Sequence, residues 1–154
     1  METPTTPATR VLDEAGVAYR LVHHGVVSSA EEAAERRGIR LEQLAKTLVV
    51  RVEEGSYVLV LIPGDQGMDY KRLRSHLGIN RLTMPSPEEA LEATGYARGT
   101  ITPLGAGGWP VLIDEALAHH DEISLGAGIS EWAIHLHPAD LMAVTGATLA
   151  SLTI

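Results

Sequence analysis

Two apolar runs in the middle of the chain, Leu44–Val52 and Tyr57–Ile62, are separated by only four residues. The connecting residues, Glu53-Glu54-Gly55-Ser56, are polar and include a glycine, which is the pattern of a β-hairpin turn. Both runs are rich in valine, and the second also contains tyrosine and isoleucine, residue types that strands favour. The sequence therefore predicts a central antiparallel pair of strands on whose faces the other elements pack.

Helix and strand signals lie on both sides of this hairpin. Helices are predicted at Thr5–Glu14, Ser29–Arg37, Asp69–Leu77, Glu88–Thr94 and Pro138–Val144 from capping residues, prolines and terminal glycines. Further strands are predicted at Tyr19–Val22, Arg81–Met84, Val111–Asp114, Glu122–Leu125 and Trp132–Leu136. Because the order is not a strict βαβ alternation, we predict an α+β fold with a mixed, largely antiparallel curled sheet or partial barrel and flanking helices. Residues 1–154 are expected to form a single domain.

Composition excludes several classes of protein. The chain of 154 residues contains no cysteine, which excludes disulfides, thiolate metal sites and a cysteine nucleophile. No stretch approaches the roughly 18 consecutive apolar residues of a membrane span, and no secretory leader is recognised. A cytoplasmic protein without membrane association is expected.

The charge is distributed unevenly. The net charge is −8, yet nine of the twelve basic residues and only five of the twenty acidic ones lie between Arg36 and Arg81. A basic segment on an acidic body can bind a phosphate backbone locally. Lys71, Arg72 and Arg74 on the predicted basic helix are thus candidate nucleic-acid-binding residues, although a merely solvated helix face explains them at least as well.

Lys46 is unusual for its strand. Alternation places Lys46 on the same face as Leu44, Leu48 and Val50, while Thr47 indicates that the opposite face is the more polar one. A lysine on an apolar face either extends outward to solvent or lies in a cleft, where its ammonium can meet a phosphate or a developing oxyanion.

A glycine-rich segment provides a second signal. Residues Gly95–Pro110 include five glycines and two prolines in sixteen residues, so no regular structure is predicted there. Long loops inside small domains are often functional, and exposed backbone groups in such loops bind phosphate or carbonyl oxygens. The spacing is not that of a Walker or dinucleotide-binding loop.

Together these segments resemble the YbaK/ProX family of tRNA-editing domains, which also occur attached to prolyl-tRNA synthetases. The similarity is carried by Lys46-Thr47-Leu48-Val49-Val50, by Met68-Asp69-Tyr70-Lys71-Arg72-Leu73 with Leu77-Gly78, by Gly95-Tyr96 and Gly99-Thr100-Ile101-Thr102-Pro103-Leu104-Gly105, and by Pro138-Ala139-Asp140-Leu141. The order and spacing of these segments agree over nearly the whole chain.

The resemblance implies a trans-editing hydrolase that deacylates tRNA for proline wrongly charged with cysteine or alanine. Catalytic groups are expected at Lys46, Gly99 and Thr100, substrate-binding groups at His24, Ile101, Thr102 and Pro103, and tRNA-binding groups at Lys71, Arg72 and Arg74. Lys46 would hold the terminal adenosine or its phosphate, and the loop backbone would orient the ester carbonyl. The attacking group is water or the substrate's own thiol. The expected partners are aminoacyl-tRNA and, as a further candidate, prolyl-tRNA synthetase.

Two points leave alternatives open. Family members that act on cysteinyl-tRNA tend to carry an aspartate where this chain has Ala133, so a non-catalytic module that binds tRNA or an aminoacyl-adenylate is the rival hypothesis. The seven histidines suggest no set of three or four converging ligands, and they are interpreted as surface and strand-end residues. No metal or other cofactor is expected, and the sequence is compatible with a monomer or a dimer.

Overall fold

The predicted hairpin is the largest strand pair of the computed structural model, which describes residues 2–154. The strands are β1 (Arg20–His23), β2 (Ala45–Glu53), β3 (Ser56–Pro63), β4 (Val111–Asp114), β5 (Ile123–Gly126), β6 (Trp132–Leu136) and β7 (Thr148–Ala150). The helices are α1 (Pro7–Ala15), α2 (Ala30–Arg37), α3 (Tyr70–Leu77), α4 (Pro87–Thr94) and α5 (Pro138–Thr145), with 3-10 turns at Leu41–Gln43 and Glu115–His119.

The strands form two sheets that meet at one point. Sheet β2-β3-β4-β7 is mixed, because β2 and β3 pair antiparallel whereas β3–β4 and β4–β7 are parallel. Sheet β1-β6-β5 is antiparallel. A single parallel bridge between Leu44 and Ser124 connects the start of β2 to β5. The α+β prediction is confirmed, and the sheets curl together without closing into a barrel.

Both faces of β2 are buried, which corrects one expectation. The face of Thr47 was predicted to be the more polar one, yet its neighbours Ala45 and Val49 belong to the larger core with Leu59, Leu61 and Ile134. The face of Lys46 lies against a second, smaller core under α3, which includes Val50 and Leu73. Thr47 and Arg51 are therefore polar residues at the borders of a buried face.

Local capping signals placed most elements correctly. Asp69 accepts hydrogen bonds from the backbone of Lys71 and Arg72, and Gly78 ends α3 in the left-handed conformation. Two other elements differ from expectation. The predicted strand at Arg81–Met84 is only an isolated bridge between Thr83 and Arg51, and β7 carried no clear sequence signal. No helix within residues 2–154 is long and apolar enough to cross a membrane.

Candidate functional site

The segment after α4 has no helix or strand, as predicted, but it is held firmly in place. The hydroxyl of the buried Tyr96 donates to the carbonyl of Leu104 at 2.6 Å, and the hydroxyl of Thr100 donates to the carbonyl of Ala97 at 2.7 Å. The backbone N–H of Gly128 donates to the carbonyl of Thr100 at 3.1 Å. These bonds give the loop a defined shape, as a binding site requires.

Gly126 allows this loop to approach the end of β5. A Cβ on Gly126 would lie 2.7 Å from the carbonyl oxygen of Ile101 and 3.0 Å from that of Thr100. Real Cβ atoms essentially never approach other atoms so closely, so a side chain here would displace the loop. The absence of a side chain thus leaves two carbonyl oxygens directly against the sheet.

Lys46 lies two residues beyond the point where the two sheets meet. Leu44 bridges Ser124 in parallel, and two residues further along the two strands stand Lys46 and Gly126. Side chains two residues apart in a strand point to the same side, so Lys46 points to the side of Leu44, and a Cβ on Gly126 would point to that of Ser124. Lys46 is half-buried, and its ammonium donates to the backbone carbonyl of Gln66 at 3.0 Å.

His24, Gly99 and Thr100 line one cleft of about 410 Å³. Nδ1 of His24 lies 2.7 Å from the carbonyl of Gly25, which places a ring proton on Nδ1. Burial lowers the pKa of His24 below its ordinary value, and the Arg37 guanidinium lowers it further. Glu131, with φ of 73°, accepts the backbone N–H of His24 through its carbonyl at 2.9 Å. Such strained backbone is common at ligand sites.

The other predicted loop residues lie elsewhere. Ile101 lines a second cleft of about 400 Å³ together with Thr47 and Met84. Thr102 is fully buried. Pro103 is buried beside a third cleft that includes Val11. Lys46 lines none of these three clefts, because its ammonium is directed toward Gln66.

The predicted tRNA-binding residues lie on α3, which covers the smaller core. Lys71 and Arg72 are exposed and line an open cleft of about 660 Å³. Arg72 also donates to the hydroxyl of Ser151 at 2.9 Å and lies 3.5 Å from the carboxylate of Asp69. Arg74 is half-buried and does not line that cleft.

A buried polar group was missed at the sequence level. His135 was interpreted as a surface or strand-end residue, but it is fully buried beside its cross-strand neighbour Ser124. Arg20 donates to Nδ1 of His135 at 3.2 Å, whereas Nε2 has no hydrogen-bond partner among the described residues. Arg37 donates to the hydroxyl of Ser124 at 3.2 Å, and burial lowers the pKa of Arg37 to about 10. The available signal was a polar residue in an apolar strand, the same signal that identified Lys46.

Within residues 2–154 no group of three or more histidine, aspartate or glutamate side chains is arranged to hold a metal ion. The polar side chains that line the first cleft are those of His24, Arg98, Thr100, Ser130 and Glu131, beside the backbone of the loop. This arrangement suits an organic ligand with hydrogen-bonding and anionic groups.

Known proteins are similar to this chain in sequence and in fold. The family model "Aminoacyl-tRNA editing domain" matches residues 24–144. The multifunctional Ser/Thr-tRNA deacylase ProXp-y of Escherichia coli (strain K12) is 33% identical over 139 residues, 87% of this chain and 83% of that protein. The proline–tRNA ligase of Thermosipho melanesiensis is 30% identical over 116 residues, 75% of this chain but only 20% of that ligase.

A solved structure agrees with these sequence relatives. A candidate trans-editing enzyme for prolyl tRNA synthetase is 28% identical, with a TM-score of 0.83 over 99% of each chain. The predicted family, fold and enzyme class, a hydrolase that edits mischarged aminoacyl-tRNA, are therefore confirmed. The matched residues include the strand of Lys46 and the glycine-rich loop, and they span most of the sequence. This chain therefore belongs to the aminoacyl-tRNA editing domain family.

Proposed function

We propose that Lys46, His24 and the backbone of Gly99–Ile101 form the hydrolytic centre for the ester of mischarged tRNA. The observation that carries the proposal is the approach of the Thr100 and Ile101 carbonyls to Gly126 in β5, close to the bridge that joins β5 to the start of the strand of Lys46. These carbonyls can accept hydrogen bonds from the α-ammonium of the aminoacyl group. The Lys46 ammonium is then available to stabilise the oxyanion that forms at the ester carbonyl.

The reaction needs little beyond positioning and charge stabilisation. Water adds to the ester carbonyl carbon, a tetrahedral oxyanion forms, and the bond to the ribose oxygen breaks with that oxygen taking up a proton. His24 lines the cleft and burial lowers its pKa, so its neutral ring is suited to hydrogen-bond the water or the ribose hydroxyl. Lys46 must first leave the carbonyl of Gln66, a single hydrogen bond from a charged donor with a net contribution of about 2 kcal/mol.

The proposed substrate carries cysteine or alanine as its aminoacyl group, attached to tRNA for proline. A serine or threonine group is the second candidate. The E. coli relative named a Ser/Thr-tRNA deacylase supports this candidate.

We infer that residues 1–154 act as one editing domain, in trans and in the cytoplasm, where charged tRNA is used. Lys71, Arg72 and Arg74 of α3 contact the tRNA backbone. Prolyl-tRNA synthetase is the candidate partner, since a similar segment forms part of a proline–tRNA ligase.

A deacylation panel tests the function. Wild-type protein is incubated with tRNA for proline charged separately with cysteine, alanine, serine, threonine and proline, and the surviving ester is measured over time. Hydrolysis of at least one wrong ester, with prolyl-tRNA spared, is expected. If all five esters survive a molar excess of protein that still binds tRNA, the chain is the non-catalytic binding module instead.

A further inference from the structure

The end of α2 places the guanidinium of Arg37 against the sheet β1-β6-β5. Arg37 is the last residue of α2, it is half-buried, and it donates to the hydroxyl oxygen of Ser124 at 3.2 Å. Its Nε–H is buried and has no hydrogen-bond partner within residues 2–154. The guanidinium forms no ion pair with any carboxylate of these residues. Arg37 is therefore a largely enclosed cation to which the described residues give no counter-charge.

Two fully buried polar side chains lie beside this guanidinium. Ser124 in β5 and His135 in β6 are cross-strand partners, and neither is exposed to solvent. Directly opposed residues point to one face of a sheet, with their Cβ atoms about 5 Å apart. Since Arg37 contacts the Ser124 hydroxyl, the three side chains surround one small region between α2 and the sheet.

Each of the three side chains presents a hydrogen to this region. Nδ1 of His135 lies 3.2 Å from an Arg20 nitrogen, which can only donate, and 3.4 Å from Glu122. The closer Arg20 contact makes Nδ1 the acceptor, so the neutral ring carries its proton on Nε2, which has no partner within residues 2–154. The Ser124 oxygen accepts from Arg37, which leaves its own O–H to donate. The region is thus surrounded by donors, one of which is cationic.

The charge of Arg37 is not neutralised by a neighbouring acid. Glu122 is on the Nδ1 side of the His135 ring and pairs with Arg20 at 2.8 Å. Burial lowers the pKa of Arg37 to about 10, whereas a carboxylate beside it would raise that pKa. An enclosed cation of this kind gains stability from any anion that can reach it.

We propose that Arg37, Ser124 and His135 bind one chloride ion between α2 and the sheet. A monatomic anion accepts hydrogen bonds from every direction and supplies the counter-charge that Arg37 lacks. A water molecule in the same place would find no acceptor for its own hydrogens among these donors. The inference does not depend on the proposed function, because Arg37 lines none of the four clefts described above.

A chloride ion here would act on two other parts of the molecule. Ser124 forms the bridge to Leu44 at which the two sheets meet, so an ion that binds only the folded chain stabilises this junction. The charge of Arg37 also lowers the pKa of His24 in the first cleft. An anion beside the guanidinium offsets that charge, and the pKa of His24 is then higher in chloride than in its absence.

An exchange of anions tests the proposal in the wild-type protein. Sodium chloride replaces sodium gluconate at constant ionic strength, since gluconate is too large to lie among fully buried side chains. The amide NMR shifts of Ser124 and His135 should change along a saturating curve, and the thermal unfolding midpoint should rise. The pKa of His24, followed in the same NMR samples, should be higher in chloride.

Variants separate a specific site from a general salt effect. Arg37→Met should weaken chloride binding by about tenfold or more, because it removes the charged donor, and it should abolish the effect of chloride on His24. Ser124→Ala should weaken binding by a smaller factor. Arg36→Met is the matched control, since Arg36 is the exposed neighbour on α2 and pairs with Glu32; it should match the wild type.

Three results would overturn the proposal: shifts that rise with chloride without saturating, a His24 pKa that is equal in the two salts, or equal responses of Arg37→Met and Arg36→Met. If Arg37→Met does not fold, the wild type and Ser124→Ala decide the question. Crystals grown in bromide give a direct check at a concentration that saturates the NMR shifts. An anomalous peak among the three donors supports the site, and a map without one there refutes it.

Discussion

The ammonium of Lys46 donates a 3.0 Å hydrogen bond to the main-chain carbonyl of Gln66, three residues before Asp69, the residue that caps α3. The lysine of the proposed hydrolytic centre and the basic helix proposed to bind tRNA therefore depend on the same connecting segment. Lys46 is half-buried and has this single neutral partner within residues 2–154. An ammonium with so few internal contacts is available to a substrate.

Replacing Lys46 with alanine should lower kcat/KM for mischarged tRNA by about 100-fold or more, as loss of an oxyanion-stabilising donor does in other hydrolases. The free energy of unfolding should fall by about 2 kcal/mol, since one hydrogen bond from a charged donor is lost. Single-turnover deacylation and urea unfolding measure the two effects. Full activity in Lys46→Ala would remove the lysine from the mechanism.

Replacing Gly126 with alanine should impair activity through the loop. The new Cβ would meet the carbonyl oxygens of Ile101 and Thr100, and a displacement of about 1 Å in a positioning group can cost about 100-fold in rate. Gly67→Ala is the matched control, because its Cβ would find its nearest neighbour at 3.5 Å and its φ is not positive. Equal deacylation rates for both variants would show that the loop carbonyls do not position the ester.

Reversing the charge of Lys71 should weaken tRNA binding in a salt-dependent way. Lys71 is exposed on α3 and lines the open cleft there. The Lys71→Glu variant should bind tRNA less tightly, with the slope of log K against log salt reduced by about 1. Filter binding at several salt concentrations measures the slope. Arg10→Glu on α1 serves as control, and an effect of the same size there would indicate a general charge effect rather than a binding face.

Stability should decrease as the pH falls from 7.5 to 5.5. Burial lowers the pKa of His24 and of His135 below 6.5, the ordinary value that each regains when unfolded. The unfolded chain therefore binds protons more readily than the folded one, and acidification through pH 6.5 favours unfolding. Glu32, Glu89 and Glu122 have lowered pKa values too, but their contribution is lost only below about pH 4.5. Urea midpoints at the two pH values measure the effect.

A variant of His135 isolates its share of this dependence. His135→Gln should narrow the difference between the urea midpoints at pH 7.5 and pH 5.5, whatever its effect on absolute stability.

Arg37→Leu should raise the pKa of His24 in an NMR titration, because the Arg37 charge is the second cause, after burial, that lowers this pKa. An unchanged His24 pKa in Arg37→Leu would show that the Arg37 charge does not contribute to the shift.

Local sequence signals determined the hairpin, the helix caps and the irregular loop of this protein. The hairpin of β2 and β3, the caps Asp69 and Gly78, and the absence of regular structure in Gly95–Pro110 follow from turn residues, capping side chains and side-chain periodicity. These depend on neighbours a few residues away, so the sequence alone carries them. Lys46 was likewise identifiable from the sequence, because it is a charged residue within an apolar strand.

Only the tertiary structure decided which groups meet. The bridge of Leu44 to Ser124, the contact of Gly126 with Ile101 and the burial of His135 join segments far apart in the chain. Strand alternation specifies that two faces exist but not which elements cover them, and for this reason the face of Thr47 was assigned wrongly. Tertiary packing decided this, because one apolar core covers the Thr47 face of β2 and a second apolar core covers the Lys46 face, so that both faces are buried.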